Sequence, residues 1–133
     1  MGAALRASAA TVILLLVWKL PRRPGRRELP AWGVWVSGWL ILIGLWVAAL
    51  LPSRAMAGLH LVFIGGFGLL TIGVGTRVVV MHGGHPPAAE RLVLGAGVAV
   101  ALAGALIARV ASDFVPALGN GLLTSSALLW PVA

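Results

Sequence analysis

A chain of 133 residues that is 60% hydrophobic and only 10% charged is too small to bury its apolar side chains in one soluble core. We therefore expect lipid to be its solvent. The absence of cysteine excludes disulfides, thiolate metal sites, iron–sulfur clusters and a catalytic thiol. The net charge of +7 comes from basic residues that lie mainly beside apolar runs, which indicates membrane topology and not nucleic-acid binding.

Five apolar runs approach the roughly 20 residues that a helix needs to cross a bilayer. They cover residues 3–20, 31–51, 55–81, 92–115 and 118–133. We predict an all-α fold, a single membrane domain over residues 1–133 that forms a polytopic transmembrane helix bundle of four helices and a partial fifth. The last run is short of a full span, so we expect the chain to be a fragment of a longer protein.

The linkers between these runs predict the orientation of the bundle. The first linker is strongly basic, and its charged residues are Lys19, Arg22, Arg23, Arg26, Arg27 and Glu28. Because basic loops stay in the cytoplasm, we expect the N-terminus and the turn at residues 52–54 to lie outside. The loop at residues 82–91 then lies inside.

Three histidines are the prospective metal or haem ligands. His60 and His82 are separated by about 33 Å along one helix, so they belong to two sites near opposite membrane faces. His60 in apolar surroundings suits axial ligation of haem or a copper site. The alternative is an interfacial side chain bonded to a backbone carbonyl or to water. His82 and His85 form a pair for copper or zinc, completed by Glu90 or a second chain, or else belong to a polar loop.

Three arginines and one aspartate lie in or beside the predicted membrane helices. Arg54, in the turn before the third run, is placed to meet a haem propionate. Arg77, about one turn before the inner end of that run, either anchors an anion or extends to the interface. Arg109 and Asp113 are four residues apart in the fourth run, a spacing that favours a structural ion pair.

Glycines in the third run predict close helix packing. At 100° per residue, His60 shares a face with Ile64, Phe67, Thr71, Val74 and Val78. The opposite side carries Gly58, Gly65, Gly66 and Gly73. Because glycine lets membrane helices approach closely, we expect that side to contact a neighbouring helix.

Tryptophans form a stripe along the second run. Trp32, Trp39 and Trp46 repeat every seven residues, and Trp35 lies near them on the helical wheel. We interpret the stripe as a packing surface for the small residues of the fourth run, among them Ala101. The alternative is that the flat rings wall a porphyrin slot.

The third run also resembles a known family. Residues 60–68 (HLVFIGGFG), residues 73–78 (GVGTRV) and His82 look like the late part of the NnrS family, bacterial membrane proteins associated with haem and copper and with responses to nitric oxide. A looser likeness continues through Arg109 and into residues 126–130. Residues 81–85 (MHGGH) differ from the family's Gly-His-Thr-Gly-Arg box, because a histidine stands in the position of the arginine.

This resemblance implies a haem- and/or copper-binding integral protein of the bacterial inner membrane, linked to the nitric oxide response. It makes His60 a ligand on the outer side, His82 and His85 ligands on the inner side, and Arg77 an electrostatic partner. A haem with two histidine ligands then needs a second copy of the chain or the missing helices of a longer protein. The alternatives are a metal-free structural or assembly subunit and a transporter fragment, and no sequence feature names a catalysed reaction.

Overall fold

The computed structural model describes residues 2–25, 29–84, 86, 96–115, 121, 124, 127 and 128. All regular structure within these residues is helical, and four helices extend over more than one turn: α1 (Gly2–Val17), α2 (Leu29–Leu50), α3 (Pro52–His82) and α4 (Ala96–Phe114). The predicted all-α fold is confirmed for this part of the chain. The predicted fifth element, residues 118–133, lies almost entirely outside the described residues.

Two helices are long and apolar enough to cross a bilayer. They are Leu29–Leu50, with 22 residues, and Pro52–His82, with 31. Only 22% and 33% of their apolar stretches are buried inside the protein. Among the described residues, most positions of these two stretches are therefore at least partly exposed, unlike the core helix of a soluble protein, which is mostly buried.

α1 ends before the predicted boundary at Leu20. It is an α-helix over Gly2–Val12 and a π-helix over Ile13–Val17. Lys19 then adopts a left-handed φ of 52°, and the backbone N–H of Leu20 donates to the carbonyl of Leu14 at 3.0 Å. A left-handed residue after a helix turns the next N–H groups back onto its last carbonyls. The reversal brings the Leu20 side chain against Gly38 of α2.

The tryptophans of α2 pack against α1, so the predicted packing on the fourth run is wrong. Trp35 Nε1 donates to the carbonyl of Leu20 at 2.8 Å, and Trp46 Nε1 donates to Thr11 Oγ1 at 3.0 Å. A buried indole N–H needs an acceptor, and the end of α1 and its threonine provide two. The rings of Trp35, Trp39 and Trp46 surround a small core of Leu14, Leu20 and Leu42.

Glycines bring the backbones of α2 and α3 into contact, as predicted for Gly58 and Gly66. A Cβ built on Gly58 would lie 2.5 Å from the carbonyl oxygen of Gly44, and one built on Gly44 would lie 2.5 Å from the oxygen of Gly58. A Cβ on Gly66 would overlap the side chain of Ile41. The two helices can approach this closely only because neither has a side chain at the crossing point.

Gly65 lies where three helices meet. A Cβ there would lie 2.9 Å from Leu40 Cδ1 of α2 and 2.9 Å from Leu106 Cδ2 of α4. Ala101 and Ala105, from the small-residue side of α4, are buried. α4 therefore packs on α3, with its small residues turned into the bundle.

Gly73 does not take part in this packing, contrary to the prediction. Nothing lies within 4 Å of a Cβ built there, and Gly73 lines a cavity of about 350 Å³ with Val34 of α2. One turn earlier, the Leu69 side chain lies 3.9 Å from a Cβ built on Gly33. The two helices are therefore in ordinary contact at Leu69, and a cavity lies between them one turn further along, at Gly73.

Residues Leu61–Gly68 of α3 are wound as a π-helix, which changes the predicted helical face. A π-turn contains more residues than an α-turn, because its hydrogen bonds close at i→i+5. Phe67 lines a cavity together with Arg6 of α1, whereas His60 faces α4. The predicted common face of His60 and Phe67 is therefore wrong.

The contact between Gly44 and Gly58 predicts a position-dependent cost for a single methyl group. We expect Gly58→Ala to lower the free energy of unfolding by about 1–3 kcal/mol, because the added carbon meets a backbone carbonyl that cannot move aside. Gly73→Ala, in the same helix, is the matched control and should change stability by less than about 0.5 kcal/mol. Unfolding in mixed detergent micelles, followed by circular dichroism, measures both; equal effects would contradict the packing described.

Candidate functional site

A contact between a histidine and a carboxylate joins α3 to α4. Nδ1 of His60 lies 3.6 Å from Oδ2 of Asp113. Both atoms are buried, and neither has a hydrogen-bond partner. The two side chains as wholes are 21% and 26% exposed, so each residue turns one buried polar atom toward the other and keeps a different edge accessible.

Asp113 does not form the predicted ion pair with Arg109. Its carboxylate is turned across the helix interface toward His60 instead. The short aspartate side chain reaches only one of the two partners, and the close packing of α4 on α3 places the imidazole nearer. The hydroxyl of Ser112 donates to the carbonyl of Arg109 at 2.7 Å. This hydrogen bond lies within α4 and does not involve Asp113.

Arg54 makes a second contact between the same two helix ends. Its guanidinium carbon lies 5.2 Å from the centre of the Phe114 ring, a cation–π geometry. Arg54 ends the 3₁₀ turn Pro52–Arg54 that opens α3, and Phe114 is the last residue of α4. We call these four residues, Arg54, His60, Asp113 and Phe114, the His60 cluster.

His82 lies at the other end of α3. Its Nδ1 is 2.9 Å from the carbonyl oxygen of Val78, so Nδ1 is the donor in this contact. α3 ends at this residue, and Gly84 takes a left-handed φ of 68°. The helix therefore does not continue toward His85. His85 itself lies outside the described residues.

Arg77 is half-buried and separate from the His60 cluster. It lines the cavity between α2 and α3 together with Pro30, Val34 and Gly73. Along the helix it is about 25 Å from His60. A single ligand the size of a metal ion cannot contact both residues.

The His60 cluster fits one axial position of a haem better than a multidentate metal site. No group of three or more histidine, aspartate or glutamate side chains is close enough to hold a metal within the described residues. Structural zinc and copper sites take three or more protein ligands, whereas haem needs one or two axial side chains. A buried Nδ1 that faces a carboxylate is how metal-binding histidines are commonly held.

The tryptophan stripe does not contribute a ligand. Trp39 and Trp46 line an apolar groove on α2 whose other lining residues are leucine, isoleucine and valine. None of the described residues that border this groove is a histidine, so they offer no ligand for the alternative of a porphyrin slot walled by tryptophan.

Sequence reasoning found His60 and Arg54 but assigned them no protein partners. Phe114 was missed altogether, and Asp113 was assigned to Arg109. The available signal was that Asp113 is the acidic residue in the apolar fourth run. A buried carboxylate needs a donor, but the sequence does not give the contact between α3 and α4 that decides which donor it meets.

Membrane-length apolar helices in which only a minority of residues are fully buried are features of helical membrane proteins. The sequence model of the NnrS protein family matches residues 1–133, so the chain belongs to the NnrS family. The match includes α1, which the resemblance in the third run did not reach. No curated protein and no solved structure is significantly similar to the chain.

The geometry predicts that Asp113 is energetically coupled to His60 and not to Arg109. We expect a double-mutant cycle of Asp113→Asn with His60→Gln to give a coupling free energy of at least about 0.5 kcal/mol, since the side chains are in contact. The cycle of Asp113→Asn with Arg109→Gln, its matched control, should give about zero. Unfolding in detergent measures both coupling free energies. A larger coupling of Asp113 to Arg109 than to His60 would show that the pair within α4 forms instead.

Proposed function

We propose that this protein is a multi-pass inner-membrane protein of the nitric oxide response that supplies His60 as an axial ligand to haem. The observation that carries the proposal is the buried Nδ1 of His60 opposite the carboxylate of Asp113. Membership of the NnrS family supports the physiological role, since the family is associated with nitric oxide. The uncovered apolar surface of α2 and α3 supports the membrane location.

We propose that the His60 cluster lies near the outer face of the membrane. The loop after α1 carries exposed Lys19, Arg22 and Arg23, which favour the cytoplasm. α2 then runs outward, and the turn Pro52–Arg54 lies outside. In the proposed orientation the N-terminus lies outside and His82 lies near the cytoplasmic face.

Each residue of the cluster has a distinct part in this proposal. His60 offers Nε2 as a neutral nitrogen ligand, and Asp113 faces the opposite edge of the same ring. Arg54, held over the Phe114 ring, provides a positive charge near the haem carboxylates. Haem supplies an iron centre that binds small diatomic molecules such as nitric oxide. A second ligand to the iron would have to come from another copy of the chain or from further helices of a longer protein.

Copper is the less favoured metal at this end, because the described residues bring one imidazole and one carboxylate together and no third ligand. At the inner end, His82 with His85 and the electrostatic role of Arg77 stay predictions. We propose copper as the metal that would suit such a histidine pair, provided that another chain or segment completes the ligand set.

A metal-free assembly subunit is the second candidate function. The groove on α2 lined by Trp39, Trp46 and Leu50 supports it, because this apolar surface is uncovered by the described residues. Such a subunit would form a stable hetero-oligomer and bind no haem.

Haem titration tests the proposed function. We expect the purified protein in detergent to bind haem with a Soret band typical of histidine ligation, and His60→Ala to weaken binding at least tenfold, because the iron loses its protein ligand. Val79→Ala, at an exposed position of the same helix that belongs to neither proposed site, is the control and should bind like the wild type. The proposal fails if the wild type gives no such band or if His60→Ala is unchanged while remaining helical by circular dichroism.

Cysteine labelling tests the proposed orientation, since the native chain has no cysteine. We expect Ser53→Cys to react with a membrane-impermeant maleimide in spheroplasts, because the turn between α2 and α3 lies outside. Arg23→Cys, in the basic loop, should react only after the membrane is permeabilised. The opposite labelling pattern would place the His60 cluster on the cytoplasmic side.

A further inference from the structure

We propose that Asp113 is a positioning residue that keeps the proton of the His60 imidazole on Nδ1 and so directs the lone pair of Nε2 toward a ligand. The part of this inference that concerns the ligand depends on the proposed haem function. The part that concerns the position of the proton does not.

The electrostatics of the pair favour one tautomer. If Nδ1 were unprotonated, its lone pair would point at a carboxylate oxygen 3.6 Å away. Both atoms are buried, so this repulsion would be screened poorly. With the proton on Nδ1, the same contact becomes attractive, because a partly positive N–H faces the negative oxygen. The hydrogen bond at one ring nitrogen in this way determines which nitrogen carries the lone pair.

The pair has no competing partner among the described residues. Neither Nδ1 of His60 nor Oδ2 of Asp113 has a hydrogen-bond partner, although each is buried. A buried donor and a buried acceptor left unpaired each cost about 1–3 kcal/mol. The nearest way to satisfy both is to bond them to each other.

The separation is longer than a formed hydrogen bond. An N–H···O bond spans about 2.7–3.2 Å, so the 3.6 Å contact must shorten by about half an ångström. Functional hydrogen bonds are often long without ligand and tighten once the ligand binds.

Burial makes Nε2 the ligand-accepting nitrogen. Nδ1 is enclosed, so the exposed 21% of the His60 side chain belongs to its other atoms. Nε2 is not among the buried polar atoms that lack a partner. A ligand can therefore approach the imidazole only from the side away from Asp113.

The contact between Arg54 and Phe114 stabilises this arrangement. It joins the first turn of α3 to the residue directly after Asp113. The end of α4 is thereby held beside the start of α3, and the carboxylate stays opposite the ring.

Nitrogen-15 NMR of histidine-labelled protein in detergent, without haem, tests the position of the proton. The resonances of His60 are assigned by their loss in His60→Gln. At a pH where the ring is neutral, we expect Nδ1 of the wild type to show the shift of a protonated nitrogen and Nε2 that of an unprotonated one. Asp113→Ala should move most of the population to the tautomer protonated on Nε2, the form that neutral histidine prefers in water.

Two further variants separate positioning from general damage. Ser112→Ala, the matched control next to Asp113, should keep the wild-type tautomer. Asp113→Glu keeps a carboxylate and should also retain it. Haem titration of the same proteins should show affinity about 10–100-fold lower for Asp113→Ala, the range typical of lost support for a metal-binding histidine, and unchanged for Ser112→Ala.

The outcomes distinguish this inference from the proposed function. A wild-type ring protonated on Nε2 overturns the inference even if Asp113→Ala does not fold, because that spectrum needs no variant. A tautomer population that is the same in Asp113→Ala as in the wild type overturns the inference as well. An Nδ1 proton that depends on Asp113, in a protein that binds no haem, supports the positioning and contradicts the proposed haem function.

Discussion

The backbone contact between Gly44 of α2 and Gly58 of α3 is the constraint on which the rest of the bundle depends. Each glycine occupies the space where a side chain of the other would lie. In lipid, helices gain little from burying apolar side chains against each other, so close van der Waals packing has to hold them together. The side of α3 that carries Gly58 packs against α2. His60 lies on a different side of α3 and therefore faces α4.

The same contact explains why the His60 cluster forms at one end of the bundle. Gly58 precedes His60 by less than one turn, and Gly65 lets Leu106 of α4 pack against the following turns of α3. α4 is thus drawn against the same stretch of α3. The Asp113 carboxylate reaches the imidazole there, while Gly73 and Arg77 further along α3 border an open cavity.

Much of the fold could be predicted from the sequence, because apolar runs and glycine spacing are local signals. The helices at 31–51 and 55–81 differ from Leu29–Leu50 and Pro52–His82 by only a few residues at each end, and the packing role of Gly58 was found correctly. The π-winding of Leu61–Gly68 was not predicted, because nothing in glycine-rich apolar sequence distinguishes it from α-winding. The end of α1 was missed, since a left-handed lysine is not a sequence signal.

The candidate site was predicted only in part, for a different physical reason. A histidine within an apolar run is an unusual polar residue there, so His60 could be chosen as a candidate ligand from the sequence alone. Its partner could not, because Asp113 has an equally plausible neighbour at Arg109, and the choice depends on how two distant segments pack. The tryptophans illustrate the same limit: their spacing predicted a packing stripe, but the acceptors on α1 decided which helix it packs on.

Cross-linking across the interface between α3 and α4 tests the central claim most directly. With cysteines replacing His60 and Asp113 in the otherwise cysteine-free chain, a short bifunctional thiol reagent in native membranes should link the two positions, because glycine packing holds the helices together without the polar pair. Phe63→Cys with Asp113→Cys is the control and should not be linked, since Phe63 lines the cavity beside Arg6 of α1. Mass spectrometry of the linked peptides gives the answer. A link between positions 63 and 113, with none between positions 60 and 113, would contradict the described packing of α4 on α3.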